Sequence, residues 1–346
     1  MLNEEENSTD QETGEMIYER KSLQVSSGQE PVRIDKWMQT QLQKTSRNKI
    51  QQAIQDGFLT VNTEKVKSNY KVRPGDKIVL MSFTQPASLE VKPENIPLNI
   101  IYEDDDLMVV NKPSNMVVHP GFGNYTGTLL NGIAFYLLQQ NPSLDEDILP
   151  RYGLVHRIDK NTTGLLVLAK KGEAAAHLAK QFFDHTIRRN YVALAWGDLK
   201  NDSDTISTKI ARHQRFRKIF DAYPLEEDIG KIAITHYKVL ERFHYVTLVQ
   251  CTLETGRTHQ IRVHFKHIGH TLFNDVEYGG DKILKGTIYT RYKQFVENCF
   301  EVCPRCALHA KTLGFIHPST QKEMFFEAPV PPDMQGLIDK WKNYTQ

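Results

Sequence analysis

Apolar residues recur along the chain at two spacings, and the changes between them mark out the elements. Ile34, Trp37, Met38 and Leu42 follow the three-and-four spacing of one helix face, and Ile50, Ala53 and Ile54 repeat it. Thr45 or Ser46 is placed to cap the second helix, and Gly57 follows its end as a C′ residue should. Phe58 to Asn62 then reads as a strand. Arg73-Pro74-Gly75-Asp76 puts Pro and Gly at the centre of a type II turn leading into another strand, Lys77 to Phe83. Thr84 to Pro97 holds Pro86, Pro93 and Pro97 and reads as a linker. Beyond Leu98, strand-like runs (Leu107 to Val110, Gly164 to Ala169) mix with helical stretches (Thr128 to Gln139, Ala174 to Phe183). They lack the regular alternation of a doubly wound sheet, so an α+β fold is expected. Residues 1–18 are polar and acidic and read as a disordered tail.

Composition adds bounds to this outline. A chain of 346 residues with 40% apolar and 25% charged residues has room for two domains with solvated surfaces. No apolar run reaches the ~18–20 residues of a membrane span. The start, Met1-Leu2-Asn3-Glu4-Glu5-Glu6, lacks the basic-then-apolar layout of a signal peptide, so a cytoplasmic protein is expected. Four cysteines suggest no disulfide framework. Cys299, Cys303 and Cys306, with His309 behind them, have spacing that suits zinc. No second Cys or His pair follows at finger spacing, however, so reduced, partly buried thiols and no metal are expected. The net charge of +1 conceals an asymmetry: residues 1–15 hold six acids and no base, whereas residues 33–77 hold ten Lys/Arg against four acids. That basic stretch suits a phosphate-binding surface, although a plain solvated face would carry the same charge.

The segment Gly153-Leu154-Val155-His156-Arg157-Ile158-Asp159-Lys160-Asn161-Thr162-Thr163-Gly164 carries the strongest chemical signal. An apolar strand leads into a polar loop and another leaves it, so Asp159 is held rigid yet reachable. Taken alone, such an aspartate would as readily cap a turn. Its company changes that reading. Lys112-Pro113 follows a strand, and Arg189-Asn190-Tyr191-Val192-Ala193-Leu194 follows a helix. Thr255-Gly256-Arg257-Thr258-His259-Gln260-Ile261-Arg262-Val263-His264 opens another helix, and Leu308-His309-Ala310 lies near the C-terminus. With His156-Arg157-Ile158-Asp159 these resemble, in order and spacing, the RluA-type family of pseudouridine synthases, over roughly Leu98 to Pro332. Residues 33–83 resemble an S-four-type RNA-binding module through Arg33-Ile34-Asp35, Ser46-Arg47, Ile50, Ala53-Ile54, Gly57, Val61-Asn62 and Pro74-Gly75-Asp76. The combined layout is similar to the ribosomal large-subunit branch that includes the RluD-type enzymes.

The resemblance implies a mixed, largely antiparallel catalytic domain at residues 98–335. In front of it would stand an RNA-binding domain (19–83) and a linker (84–97), and a tail (336–346) would follow. It also implies uridine-to-pseudouridine isomerisation in structured RNA, with ribosomal RNA and transfer RNA both open as targets. The reaction neither oxidises nor adds anything, so it calls for a carboxylate and no cofactor. By the resemblance Asp159 is that carboxylate, as nucleophile or as ribose base. Arg262 is its salt-bridge partner, Tyr191 the active-site tyrosine, and Arg157 the residue that fills the space left by a flipped base. Arg33, Arg47, Lys49, Lys65, Lys67 and Lys71 are expected against phosphates. Arg212, Arg215, Arg217 and Lys218, interleaved with Phe216 and Phe220, are expected to grip RNA. His259, His264, His267 and His270 invite a metal reading but lack a carboxylate at His-Glu-x2-His spacing. Capping and packing are expected instead, with Thr258 as N-cap and Gly269 as C′. A monomeric enzyme is the outcome, with a non-catalytic RNA-binding assembly factor as the alternative.

Overall fold

In the computed structural model the described residues are 18–42, 47–55, 59–83, 91–121, 123–144, 149–216, 219–287 and 289–345. The chain divides into two units at Glu90 and Val91. The first holds β1 (Tyr18–Gln24), α1 (Ile34–Gln41), α2 (Arg47–Gln55), β2 (Leu59–Val61), β3 (Glu64–Lys65) and β4 (Lys77–Phe83). Its strands form an antiparallel sheet in the order β1-β4-β2-β3. The spacings expected of the two helices bury Ile34, Trp37, Met38, Ile50 and Ile54 against Leu59, Val61, Ile78 and Leu80. At the turn into β4, Gly75 takes φ +88° and the Asp76 amide donates to the Arg73 carbonyl at 3.0 Å, as a type II turn requires. Thr45, Ser46 and Gly57, the expected caps of α2, lie outside the described residues.

The second unit contains β5 (Ile100–Glu103), β6 (Leu107–Lys112), α3 (Leu129–Gln140), β7 (Thr163–Ala169), α4 (Gly172–Phe183) and β8 (Arg188–Trp196). These are followed by β9 (Ser203–Arg212), β10 (Phe220–Tyr223), β11 (Lys231–Phe243), β12 (Val246–Leu253) and α5 (Gln260–His267). The chain ends with α6 (Thr290–Val302), β13 (Leu308–Ile316), β14 (Glu323–Glu327) and α7 (Pro332–Thr345). The sheet runs β10-β9-β11-β12-β8-β13-β7-β6-β5, with β14 added to β13. Every pairing is antiparallel except that of β7 with β13, so the expected α+β, largely antiparallel class holds.

All seven residues of β7 are buried because both faces of the sheet are covered. Leu165, Val167 and Ala169 pack with Ala174, Leu178 and Phe182 of α4. Leu166 and Leu168 point the other way, toward Leu130, Ile133 and Leu137 of α3. Thr128 caps α3 through a capping box with Asn131. Gly164 has φ +117°, and a Cβ there would lie 2.2 Å from the Ala310 carbonyl oxygen. Only glycine lets β7 approach β13 this closely.

The C-terminus corrects one expectation. Residues 336–346 are not a tail: through Thr345 they belong to α7, whose Met334, Leu337, Ile338 and Trp341 are buried beside Trp196, Phe273 and Tyr292. Residues 91–97, expected in the linker, sit in the second unit, with Val91 buried in its core. No helix among the described residues is long and apolar enough to cross a membrane.

Candidate active site

The site forms where four central strands meet at one end. β7 and β13 run parallel, so the loops preceding them, at residues 159–162 and 303–307, lie side by side. β6 is antiparallel to β7 and brings Lys112 opposite Gly164. β8 places Tyr191 opposite Ala310 on one side and Cys251 on the other. The turn after β12 then delivers α5. Its loop is drawn together by the buried Gln260 side chain, which accepts from the Thr255 hydroxyl and the Arg257 amide at 2.8 and 2.9 Å.

Asp159 opens a tight turn, its carbonyl accepting from the Thr162 amide at 3.1 Å. Two buried cations hold that turn. Lys112 Nζ donates to the carbonyls of Pro113, Met116 and Lys160 at 2.7, 2.9 and 3.0 Å. Arg305 donates from Nη1 to the Asn161 carbonyl at 3.2 Å, while its Nε and Nη2 grip Asp333 at 2.6 and 3.0 Å. Burial pushes the Lys112 ammonium down to about 7, against the pull of Asp159.

The Asp159 side chain is 20% exposed, and its Oδ2 accepts from Arg262 Nη1 at 3.3 Å. Arg262 itself is buried. Its two-pronged partner is Asp275, gripped by Nε and Nη2 at 2.7 Å each, and Nη2 also meets Glu277. The Tyr278 ring lies 4.9 Å beneath the guanidinium. Burial would raise the Asp159 carboxyl, but His259, Arg262 and Arg157 outweigh it and hold the carboxyl below its ordinary value. Burial lowers His259, against the pull of the Asp159, Glu277 and Asp275 carboxylates. Tyr191 is buried, and burial together with the Asp159 charge keeps its phenol protonated, the nearby Arg189 only partly opposing them.

Asp159, Arg262, Tyr191 and Arg157 therefore share one electrostatic neighbourhood, with Arg157 Nη1 donating to His119 Nε2 at 3.0 Å. Arg212 lies 5.3 Å over the Phe220 ring, and Phe220 in turn meets the His259 ring. Arg215 is exposed beside Phe216, whereas Arg217 and Lys218 lie outside the described residues. In the first unit Arg33 and Arg47 both bind the buried Asp35, at 2.9 and 2.8 Å, while each leaves about two fifths of its side chain in solvent. Lys65 is exposed, and the Lys49 side chain lies outside the described residues.

Thr258 is not the N-cap expected of it. That position falls to His259, in the left-handed region at φ 54° with no side-chain capping bond, while Gly269 does follow the helix at φ +78°. His264 packs between the Thr208 and Thr235 hydroxyls, and His270 donates to the Trp196 carbonyl. Cys299 and Cys303 lie in the aromatic core, whereas the Cys306 thiol donates to Asp275 at 3.5 Å. Sequence reasoning missed Asp275, Glu277, Arg305 and the side-chain role of Lys112. Lys112-Pro113 was visible as part of a motif, but nothing local signals the partner of a buried charge.

Comparison with known proteins identifies the family. The family described as RNA pseudouridylate synthase matches residues 106–267, and the S4 domain matches residues 32–78. An uncharacterized RNA pseudouridine synthase of Chlorobaculum parvum is 44% identical, over 92% of this chain and 97% of its own. The ribosomal large subunit pseudouridine synthase D of Vibrio parahaemolyticus is 40% identical, over 87% of this chain and 88% of its own. The solved structure of human RNA pseudouridylate synthase domain containing 4 shares the fold, with a TM-score of 0.55 at 20% identity over 70% of this chain and 93% of its own. Over nearly its whole length, the chain belongs to the RNA pseudouridine synthase family.

Proposed function

We propose that this enzyme isomerises uridines of large-subunit ribosomal RNA and that Asp159 is its catalytic carboxylate. The observation that carries the reading is the state of that carboxylate. One oxygen is tied to a buried guanidinium, while Oδ1 accepts no hydrogen bond among the described residues. An ionised, oriented oxygen with a free lone pair suits attack on ribose C1′ or removal of a ribose proton. The C1′–N1 bond then breaks, the uracil turns, and C5 joins C1′; C5 gives up a proton and N1 gains one. Tyr191 supports the detached ring and relays the C5 proton, and Arg262 keeps Asp159 charged and aimed. Arg157 enters the stack that the flipped base leaves.

Arg33, Arg47, Lys49 and Lys65 of the first unit, and Arg212 and Arg215 of the β9–β10 hairpin, contact the RNA backbone in this reading. The ribosomal target rests on the name of the Vibrio parahaemolyticus relative. The enzyme acts as a monomer in the cytoplasm. Pseudouridines should be mapped across ribosomal and transfer RNA from cells with the protein, without it, and with Asp159→Asn. Sites in large-subunit RNA should vanish in the last two. Loss confined to transfer RNA would move the substrate, and sites persisting with Asp159→Asn would remove Asp159 from its role.

A further inference from the structure

His259 stands beside Asp159 in a strained backbone conformation, φ 54° and ψ 21°. A left-handed non-glycine residue costs about 1–2 kcal/mol, so something must hold it there. Its ring is fixed on two sides, edge-on to Phe220 at 5.8 Å and to Tyr278 at 5.6 Å between centroids. Hydrogen bonds set its tautomer as well. The Tyr278 hydroxyl oxygen accepts from the Phe220 amide at 3.0 Å and lies 2.9 Å from His259 Nδ1. Among the described residues the buried phenol proton has no other acceptor, so we take Nδ1 as the atom that accepts it. The remaining proton of the neutral imidazole sits on Nε2.

That N–H has no hydrogen-bond partner among the described residues. The carboxylate oxygens nearest Nε2 among them are Asp159 Oδ1 at 3.9 Å and Glu277 Oε2 at 4.0 Å, both beyond bonding distance. Oδ1 is the same oxygen that Arg262 leaves unoccupied. A donor with no hydrogen-bond partner among the described residues, 3.9 Å from the oxygen assigned to the chemistry, is available to the substrate.

We propose that His259 is a catalytic residue whose Nε2–H donates to the uracil O2 as the C1′–N1 bond breaks. This rests on the reading of Asp159 as the catalytic carboxylate. With Asp159 Oδ1 at C1′ or at the neighbouring ribose carbon, N1 and its adjacent O2 are the substrate atoms on which negative charge builds. A neutral donor stabilises that charge without neutralising the carboxylate it faces. No proton leaves His259, so the step balances without another acid.

The test uses the full chain and a synthetic RNA hairpin carrying one target uridine, in single-turnover assays at saturating enzyme. His259→Leu should lose about 100-fold in rate, as loss of one such donor does elsewhere. RNA affinity should stay unchanged, and any fall in melting temperature from the lost ring contacts should be shared by His259→Gln, which keeps an N–H and should recover much of the rate. Replacing the target by 2-thiouridine weakens the acceptor and should slow the wild type but add little to His259→Leu. Nitrogen NMR of the free enzyme should find the proton on Nε2. A rate for His259→Leu within threefold of wild type, an equal thio penalty in both proteins, or a proton on Nδ1 would overturn the assignment. Asp159→Asn on the same RNA keeps the two readings apart: activity there overturns Asp159, while its loss beside an unimpaired His259→Leu overturns only His259.

Discussion

Arg262 holds three carboxylates at once, Asp275, Asp159 and Glu277, and that division of labour governs what a substitution there does. Its fork belongs to the fully buried Asp275, and Asp159 receives one further N–H at 3.3 Å. Arg262→Lys keeps the charge but cannot span both partners. Turnover should fall by about 100-fold or more, since small misplacements of a reacting group cost that much. RNA affinity should change less than twofold; filter binding and single-turnover rates on one RNA separate the two effects. His156 makes a second residue-scale prediction. Its Nε2 accepts from the Val167 amide at 3.0 Å and its ring stacks on Phe182. Burial, helped by Arg189, pushes its pKa down to about 3 from the ordinary 6.5. The unfolded chain therefore binds a proton that the folded one refuses between those values. The His156 contribution is complete above pH 6.5 and is lost as pH falls, by about 2 kcal/mol at pH 5. Urea unfolding at pH 7 and pH 5 should register the loss, and His156→Gln should shrink it.

Among the elements, α7 matters beyond its position at the chain end. Asp333 in its first turn holds Arg305, which in turn holds the carbonyl of Asn161 two residues after Asp159. Met334, Leu337, Ile338 and Trp341 fill a core shared with β8 and α6. Each such side chain contributes about 1.5–3 kcal/mol on burial, and four together rival the ~5–15 kcal/mol stability of a whole domain. A chain ending at residue 331 should therefore be insoluble or melt far below the full protein. Unchanged melting would mean that the core around Trp341 stands without α7.

For the whole molecule, the two units have separate cores, so the second should fold without residues 1–90. The S4 match and the basic residues of the first unit lead to a salt prediction. Removing residues 1–90 should weaken RNA binding and flatten the fall of log affinity with log salt, because fewer phosphates lose their counterions. Single-turnover activity at high enzyme concentration should persist. An unchanged slope would assign RNA capture to the second unit alone.

Patterns that span a few turns of chain were legible in the sequence. The turn at Arg73-Pro74-Gly75-Asp76, β4, the helical stretch from Thr128 to Gln139 and β7 all follow from backbone preferences and periodicity within about a dozen residues. Helix α7 was legible too: Met334, Leu337, Ile338 and Trp341 have helical spacing, which the expectation of a tail overlooks. The order of motifs located Asp159, Tyr191 and Arg262 through resemblance, not through any local rule. Only the tertiary structure decided who holds whom. Arg262 meets Asp159 across 103 positions, and Arg305 reaches Asn161 across 144. Such pairings depend on which strands become neighbours, and above all on the parallel contact of β7 with β13 that Gly164 permits. The left-handed turn at His259 belongs to the same class, because the neighbouring Gln260 side chain donates to the Ile234 carbonyl and the Thr235 hydroxyl of β11, some 25 positions away, and so fixes the approach to α5. A buried charge takes its partner from packing, and packing is settled by the whole chain at once.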